Sequence, residues 1–580
     1  MVKVKKYAMM TVKAGVGLIP KSVREHLKKS PALSAFYSRA LQRSGLFYGF
    51  PSKKKLTRLY RDVVLRQRTV LTQHYGVKKT GKPLNVLVMP GARAAVATTL
   101  DSLNAQAERV GAIYLVSEVG DSPASTSRIQ HVATFTELAE SVGSSPLLLL
   151  MAGDTLHENA LSAFCAHADQ ADILYCDTDE VEKGQRVNPR LLPDWNPDLQ
   201  LTTAYVDTGV VLANPAESLQ VALEQARSFS CVAEVVTAIW LNTPALKVQH
   251  IALSLVAHKP SGQRTRDALG VTSGWLDDRG ISSLFDKQNG VNAYLWPADN
   301  QPLVSLIIPT KNAHELVKAC IDSITEKTHY THYEILLIDN NSDDPDSLAY
   351  FEEVAKHPKV RLLRYPQPFN YSAINNFAVS QARGDIIGLI NNDVEVIGGQ
   401  WLSYMVGHAV RADIGCVGAK LLYSDGRIQH AGVVMGYGGG AGHAHKYFPR
   451  YHPGYLNRLV ATQNYSAVTA ACLLVKREHY EAVGGLNERD LTVAFNDVDF
   501  CLKVRELGVR NLYCAEAELF HHESVSRGLD ATKEKRMRFL SELDYLQSTW
   551  QQVIQHDPAY NPFLTLKREN FAVKAEEEFE

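Results

Sequence analysis

Residues 302–312 read PLVSLIIPTKN, residues 333–345 read YEILLIDNNSDDP, and residues 384–396 read GDIIGLINNDVEV. Each is a short, β-branched-rich apolar run that breaks into polar residues. Such runs predict strands buried on both faces of a parallel sheet. Between the first two, ELVKACIDSITEK spaces its apolar residues along one face of a helix. Strand, helix, strand opens a doubly wound α/β sheet, whose ligands sit beyond the carboxyl ends of the strands. Those ends carry Thr310 and Lys311, then Asp339 to Asn341, then Asn391 to Asp393. Acids and amides meeting in one crevice suit a nucleotide and a divalent metal.

These motifs resemble the donor-binding half of a bacterial family-two glycosyltransferase of the GT-A fold, of the rhamnosyltransferase-like type that builds O-antigen and capsule. The resemblance implies a donor site made of Pro309, Thr310, Asp339, Asn341, Asn392 and Asp393. It makes 391–393 a DxD-like motif in which only the last acid is kept, so that Asp393 holds Mn2+ or Mg2+. Asn376, on the helix after the turn at 369–371, is implied to reach the nucleotide, although an Asn near a helix start also serves as a cap.

Further along, NDVDFCLKVRELG opens an amphipathic helix. Acids in a first helical turn are favoured by the helix dipole alone. The resemblance adds that this stretch matches the family's ED motif, with Asn496 in place of the Glu. It implies Asp497 as the catalytic base and leaves Asp499 as an acceptor-side residue. LFHHESVSRG then offers His521, with His522 as its rival, to complete the metal shell. The Gly-rich stretch bearing His443 and the small Ala470 are read as acceptor-side.

At 580 residues the chain is too long for one core. Its 45% hydrophobic and 21% charged residues are those of an ordinary globular protein. None of the eight cysteines forms a C-x-x-C pair, so buried thiols are expected rather than disulfides or zinc. The net charge of −1 conceals an asymmetry: residues 1–83 hold 20 Lys or Arg against 2 acids, and the rest hold 41 against 60. A basic arm on an acidic body points to anionic lipid, with nucleic acid disfavoured for want of a recognition motif. Docking of the arm on the acidic body is the alternative. The arm's apolar run at 7–20 is too short to span a bilayer.

The central pattern occurs once before. LNVLVMPGA resembles VSLIIPTKN, AIYLVSEVGDSP resembles EILLIDNNSDDP, and SSPLLLLMAGDTL resembles GDIIGLINNDVEV. A repeat of this length predicts two copies of one domain. The expected organisation is a basic helical arm (1–83), a degenerate GT-A-like domain (84–298), a catalytic GT-A domain (302–530) and a helical extension (531–580). In the first copy Ser117 replaces Asp339, Gly153-Asp154 replaces 392–393, and no carboxylate pair or histidine motif is legible. Asp177 and Asp179 are the acids that could restore a site there.

The resemblance therefore implies an inverting, metal-dependent transferase. It would move a sugar from dTDP-rhamnose or a UDP-sugar to a lipid-linked polysaccharide, at the inner face of the plasma membrane. Oligomers are compatible with this reading. The alternative is a non-catalytic glycan-binding or scaffold protein with two inactive domains, favoured by the amides at 391 and 496.

Overall fold

The computed structural model describes residues 50–76, 82–116, 128–522 and 532–579. Most of the basic arm therefore lies outside the described residues, as does Ser117. The fully apolar runs become central strands: Val304–Thr310 and Tyr333–Asp339 are parallel neighbours in which Thr310 faces Asp339, and Ile386–Ile390 flanks the first of them, also in parallel. Helix His314–Lys327 buries Val317, Cys320, Ile321 and Ile324 against them. That spacing is the helical stripe of the sequence.

The chain builds two large mixed sheets, of nine and ten strands. The second runs, edge to edge, Val360–Arg364, Tyr333–Asp339, Val304–Thr310, Ile386–Ile390, Cys472–Lys476, Ile414–Leu422, Arg510–His521 and Val394–Val396. The first runs Ile129–Val132, Val110–Val116, Leu84–Val88, Leu147–Leu150, Val210–Leu212, Ile173–Glu182, Val248–Ala257 and Thr155–Leu156. The two orders match strand for strand, and so do the strand directions. Val210–Leu212 and Cys472–Lys476 are each antiparallel to both neighbours, and each last long strand is parallel to the strand beside it. The architecture is thus two tandem α/β domains of one topology, as the repeat predicts.

The two domains meet through a buried ionic cluster. Asp198 of the first lies 2.5 Å from Arg411 and 3.4 Å from Arg510 of the second. Burial alone would raise the Asp198 carboxyl, but the two guanidiniums hold it well below the carboxylate range. Arg411 also stacks on Trp296 at 4.1 Å. Removing Arg411 leaves the buried Asp198 with only the partly exposed Arg510, 3.4 Å away. Arg411→Ala is expected to cost about 3–5 kcal/mol, read as a lowered denaturation midpoint.

The C-terminal tail joins the domains as well. Asn561 donates to both carboxylate oxygens of Asp177 at 2.9 and 3.1 Å, and Asp177 also accepts from Leu192 N and pairs with His250. Asp179 is taken up by Tyr60, Arg186 and His157 at 2.5–2.7 Å. Both acids are therefore packing anchors, one for the tail and one for helix Lys53–Val70. All eight cysteines are buried and unpaired. Among the described residues, no helix is long and apolar enough to cross a membrane.

Candidate functional site

The site forms where the parallel strands of the second sheet end. Ile386–Ile390 stops at Asn391-Asn392-Asp393, and the edge strand Val394–Val396 then pairs with the end of Arg510–His521, setting Val394 opposite His521. This register brings His521 Nε2 to 3.1 Å from Asp393 Oδ1. On the other side of the ring, Nδ1 lies 2.6 Å from the Gln429 amide oxygen. A carbonyl oxygen only accepts, so Nδ1 carries the proton and the Nε2 lone pair faces Asp393. The Asn391 amide nitrogen, 3.2 Å from Nε2, fits the same tautomer. His522 points elsewhere, to Ser424 and Glu395.

Asp497 is the second residue of helix Asn496–Arg505. It is half-buried, and its carboxylate accepts from Thr469 Oγ1 at 2.9 Å, Ala470 N at 3.1 Å and Val498 N at 2.9 Å. Burial outweighs these bonds and pushes its pKa above the ordinary carboxylate value. Tyr371 spans the gap to the 391–393 turn: its hydroxyl lies 3.3 Å from Ala470 O and 3.5 Å from Asn391 Oδ1. A continuous chain of contacts thus runs from Asp393 through His521, Asn391, Tyr371 and Ala470 to Asp497. His443 packs edge-on against His430 at 5.1 Å. Burial drives both imidazoles down, His430 to about 4.

At the end of Val304–Thr310, Asn392 donates to Thr310 Oγ1 at 2.9 Å, and Pro309 precedes Thr310 on the strand. Asp339 is buried, caps Ser342 N at 3.0 Å and is ion-paired with Arg364. Asn341 takes up a left-handed conformation and donates to Gln367 O.

Two expected site residues do not face the crevice. Asn376 spends its whole amide on the loop at 480–488: its oxygen accepts from Tyr480 and Leu486 N, and its nitrogen donates to Leu486 O and Glu488. It packs against Gly485, where a Cβ would lie 2.5 Å from its oxygen. Asp499, two residues along the helix from Asp497, is buried on another side, 2.8 Å from Trp550 Nε1 and 3.3 Å from Lys503. For Asp499 the reason is helical geometry, which turns residues two apart to different faces.

The C-terminal helix Lys533–Thr549 contributes a residue that sequence reasoning missed. Glu542 is buried and accepts from Thr492 Oγ1, Val493 N and Ala494 N at 2.9–3.1 Å, immediately before the Asp497 helix. Glu542 and Trp550 therefore hold that helix start from two sides. No sequence signal marks Glu542, because its partners are backbone amides.

The first copy keeps more than its sequence disclosed. The strand pairing that sets Val394 opposite His521 sets Thr155 opposite Ala257, and the next residue, His258, reaches Asp154 at 2.6 Å. Asp207 adds a second carboxylate 3.5 Å away. Burial would lower the His258 pKa, but the two acids hold it up to about 9. Asp154 also accepts from Met151 N at 2.9 Å and from Thr208. Ala233 stands at the helix position equivalent to Asp497. An acid–histidine pair survives there, closed on itself as an ion pair that Asp207 joins. Among the described residues, no group of three or more His, Cys, Asp or Glu is arranged to hold a metal.

Residues 305–484 match the family model described as Glycosyl transferase family 2. Protein y4gI of Sinorhizobium fredii is 40% identical over 504 residues, covering 83% of this chain and 54% of that protein. The O-antigen biosynthesis protein RfbC of Myxococcus xanthus is 34% identical over 439 residues, covering 72% of this chain and 33% of that protein. The chain thus spans about half the length of the first and a third of the second. A solved mannosyltransferase from Pyrobaculum calidifontis, in complex with GDP-Man and Mn2+, aligns with 45% of this chain and 69% of its own. Its identity is 18% and its TM-score 0.33.

Proposed function

From a chain whose residues 305–484 carry a glycosyl transferase family 2 domain, we infer an inverting transferase that moves a sugar from a nucleotide-diphosphate donor to a glycan hydroxyl. The observation that carries this reading is the chain of contacts from Asp393 and His521 to Asp497 within the second domain. On this reading the paired carboxylate and imidazole would face the donor's diphosphate, and the separate carboxylate, its pKa raised by burial, would take the acceptor's proton.

Asp393 and His521 would hold a divalent ion. The donor set fits: one carboxylate oxygen and one imidazole nitrogen, the ring held by Gln429, are ligand types that suit Mn2+ or Mg2+. Bound there, the ion supplies positive charge against the departing diphosphate. The chain's own residues do the rest. Asp497 accepts the proton of the acceptor hydroxyl as its oxygen attacks the anomeric carbon, and a single displacement inverts that centre. Thr469 and Ala470 N fix the carboxylate for this transfer. Asp339, Asn341, Asn392, Pro309 and Thr310 form the nucleoside side, and Ala470 and His443 line the acceptor side.

The first domain is assigned to packing, its Asp154 carboxylate being occupied by three partners. The acceptor is a surface polysaccharide intermediate, in line with the relative named for O-antigen biosynthesis; a lipid-linked form at the inner membrane face is the specific version. A thermal-shift screen of dTDP- and UDP-sugars with and without Mn2+ tests the reading, since a bound donor raises apparent stability. A donor whose stabilisation depends on Mn2+ is the expected result. No response to any nucleotide sugar would favour a non-catalytic scaffold.

On this reading Glu542 is a positioning residue. Glu542→Gln exchanges an acceptor oxygen for a donor nitrogen facing backbone N–H groups. It is expected to lower kcat about tenfold with KM for the donor nearly unchanged, because small misplacements of a reacting group are costly. A purely structural role would lower the melting temperature without that split between kcat and KM.

A further inference from the structure

A second cavity lies far along the chain from this crevice, between helix Lys53–Val70 and the first sheet. It encloses about 270 Å3, near the lower end of the roughly 300–1,000 Å3 found for small-ligand sites. One wall is a single stripe of the helix: Thr57, Arg61, Val64, Arg68 and Leu71 recur at spacings of four and three. The opposite wall is His157 and Glu158, which follow the strand Thr155–Leu156, and the hairpin residues Gly184 to Arg186.

Three guanidiniums therefore line one space. Arg186 is fixed in place: Nε bonds Asp179 at 2.5 Å, and Nη2 reaches Tyr60 OH at 3.3 Å and Ser254 O at 3.0 Å. Arg68 has only a loose pairing with Glu158 at 3.9 Å, both side chains being mostly exposed. Arg61 has no hydrogen-bond or ion-pair partner among the described residues. His157 leans on Asp179 at 2.7 Å, so that buried acid is shared between two cavity-lining side chains. Like charges converging on one space repel, and Glu158 is the one carboxylate lining it. An anion with several acceptor oxygens would relieve that repulsion, and guanidinium forks match phosphate in shape and charge.

We propose that this cavity binds a phosphate ester through Arg61, Arg68 and Arg186. Two sources share that chemistry, a soluble phosphorylated ligand and a phospholipid headgroup. The site is independent of the transfer reaction read from the second domain.

The test uses the full chain in EDTA, which removes any divalent ion from the donor crevice. Calorimetric titration with inorganic pyrophosphate probes the soluble source. Flotation with vesicles of phosphatidic acid in phosphatidylcholine, against phosphatidylcholine alone, probes the lipid source. Each is run on the native chain, on R61A/R68A, and on K54A/K55A, which loses the same charge from exposed positions outside the cavity. The expected result is binding in at least one arm that R61A/R68A weakens about tenfold or more, with K54A/K55A close to native. Binding of pyrophosphate assigns a soluble ligand, and binding to acidic vesicles alone assigns a headgroup. No binding in either arm overturns the proposal. So does equal binding by the native chain and R61A/R68A, or equal weakening in the two variants, since the latter is unspecific charge. Arg61 and Arg68 are exposed, and matching melting curves of the variants will establish that they fold.

Discussion

Asp497→Asn is expected to lower turnover by about 10²–10⁴, the usual contribution of a general base, while donor binding stays within about twofold of native. The substitution keeps the shape of the side chain. One oxygen can still accept from Ala470 N, so the loop at 469–470 has no reason to move. What is lost is the capacity to take a proton. Single-turnover kinetics with a saturating donor would separate the two effects, and near-native turnover would remove Asp497 from the mechanism.

The pH dependence has a definite sign. Burial raises the Asp497 pKa against the opposing hydrogen bonds from Ala470 N, Thr469 and Val498 N. The base works only when ionised, so turnover should rise with pH through a value above the ordinary carboxylate range and then level. Stability runs the other way. A carboxyl whose folded pKa is raised contributes stability below its unfolded pKa and loses it as pH rises through the folded one. The Asn variant carries no such charge, so it should melt no lower than native at pH values above that window. An inactive variant that is equally or more stable is the pattern of a site kept for chemistry rather than for packing.

The fold was legible because its signals are local. VSLIIPT, YEILLID and DIIGLI are buried on both faces, and such strands cannot hide among polar residues. The duplication was legible too, since both copies keep those runs, and the strand order bears it out down to the antiparallel strand in each sheet. Of the candidate site, the sequence marks strand ends and helix starts, and Asp393, Asp497 and His521, which the fold joins in one chain of contacts, stand at such positions. A helix start next to a crevice does not fix which way an amide turns, and the loop at 480–488 takes up that of Asn376. Tyr371, Gln429 and Glu542 act across 20 to 92 residues of chain or through backbone amides, so no spacing marks them. His258 escaped because it stands one residue beyond the register position of His521, and a side chain can cover that distance where a motif cannot.

The most demanding consequence concerns Asp393 itself. Asp393→Asn is expected to cost about 10²–10³ in turnover, the scale of losing one preorganised charge at the reacting centre. It should also move the Mn2+ activation midpoint upward by about 10–100-fold. The reason lies in the neighbouring amides. Asn391 and Asn392 bring dipoles but no charge, so Asp393 is the sole anionic member of 391–393. The other side chain facing its carboxylate, His521, is aimed by Gln429 as a neutral nitrogen donor. Replacing Asp393 thus removes all negative charge from that triplet, whereas a family member with two acids there would keep one. The variant should still fold, because Asn matches Asp in shape and its amide nitrogen can donate to Nε2 of His521. Raising Mn2+ should recover part of the activity and leave a deficit at saturation, the first effect reporting affinity and the second the loss of charge in the transition state. A variant with a native Mn2+ midpoint would place the ion elsewhere.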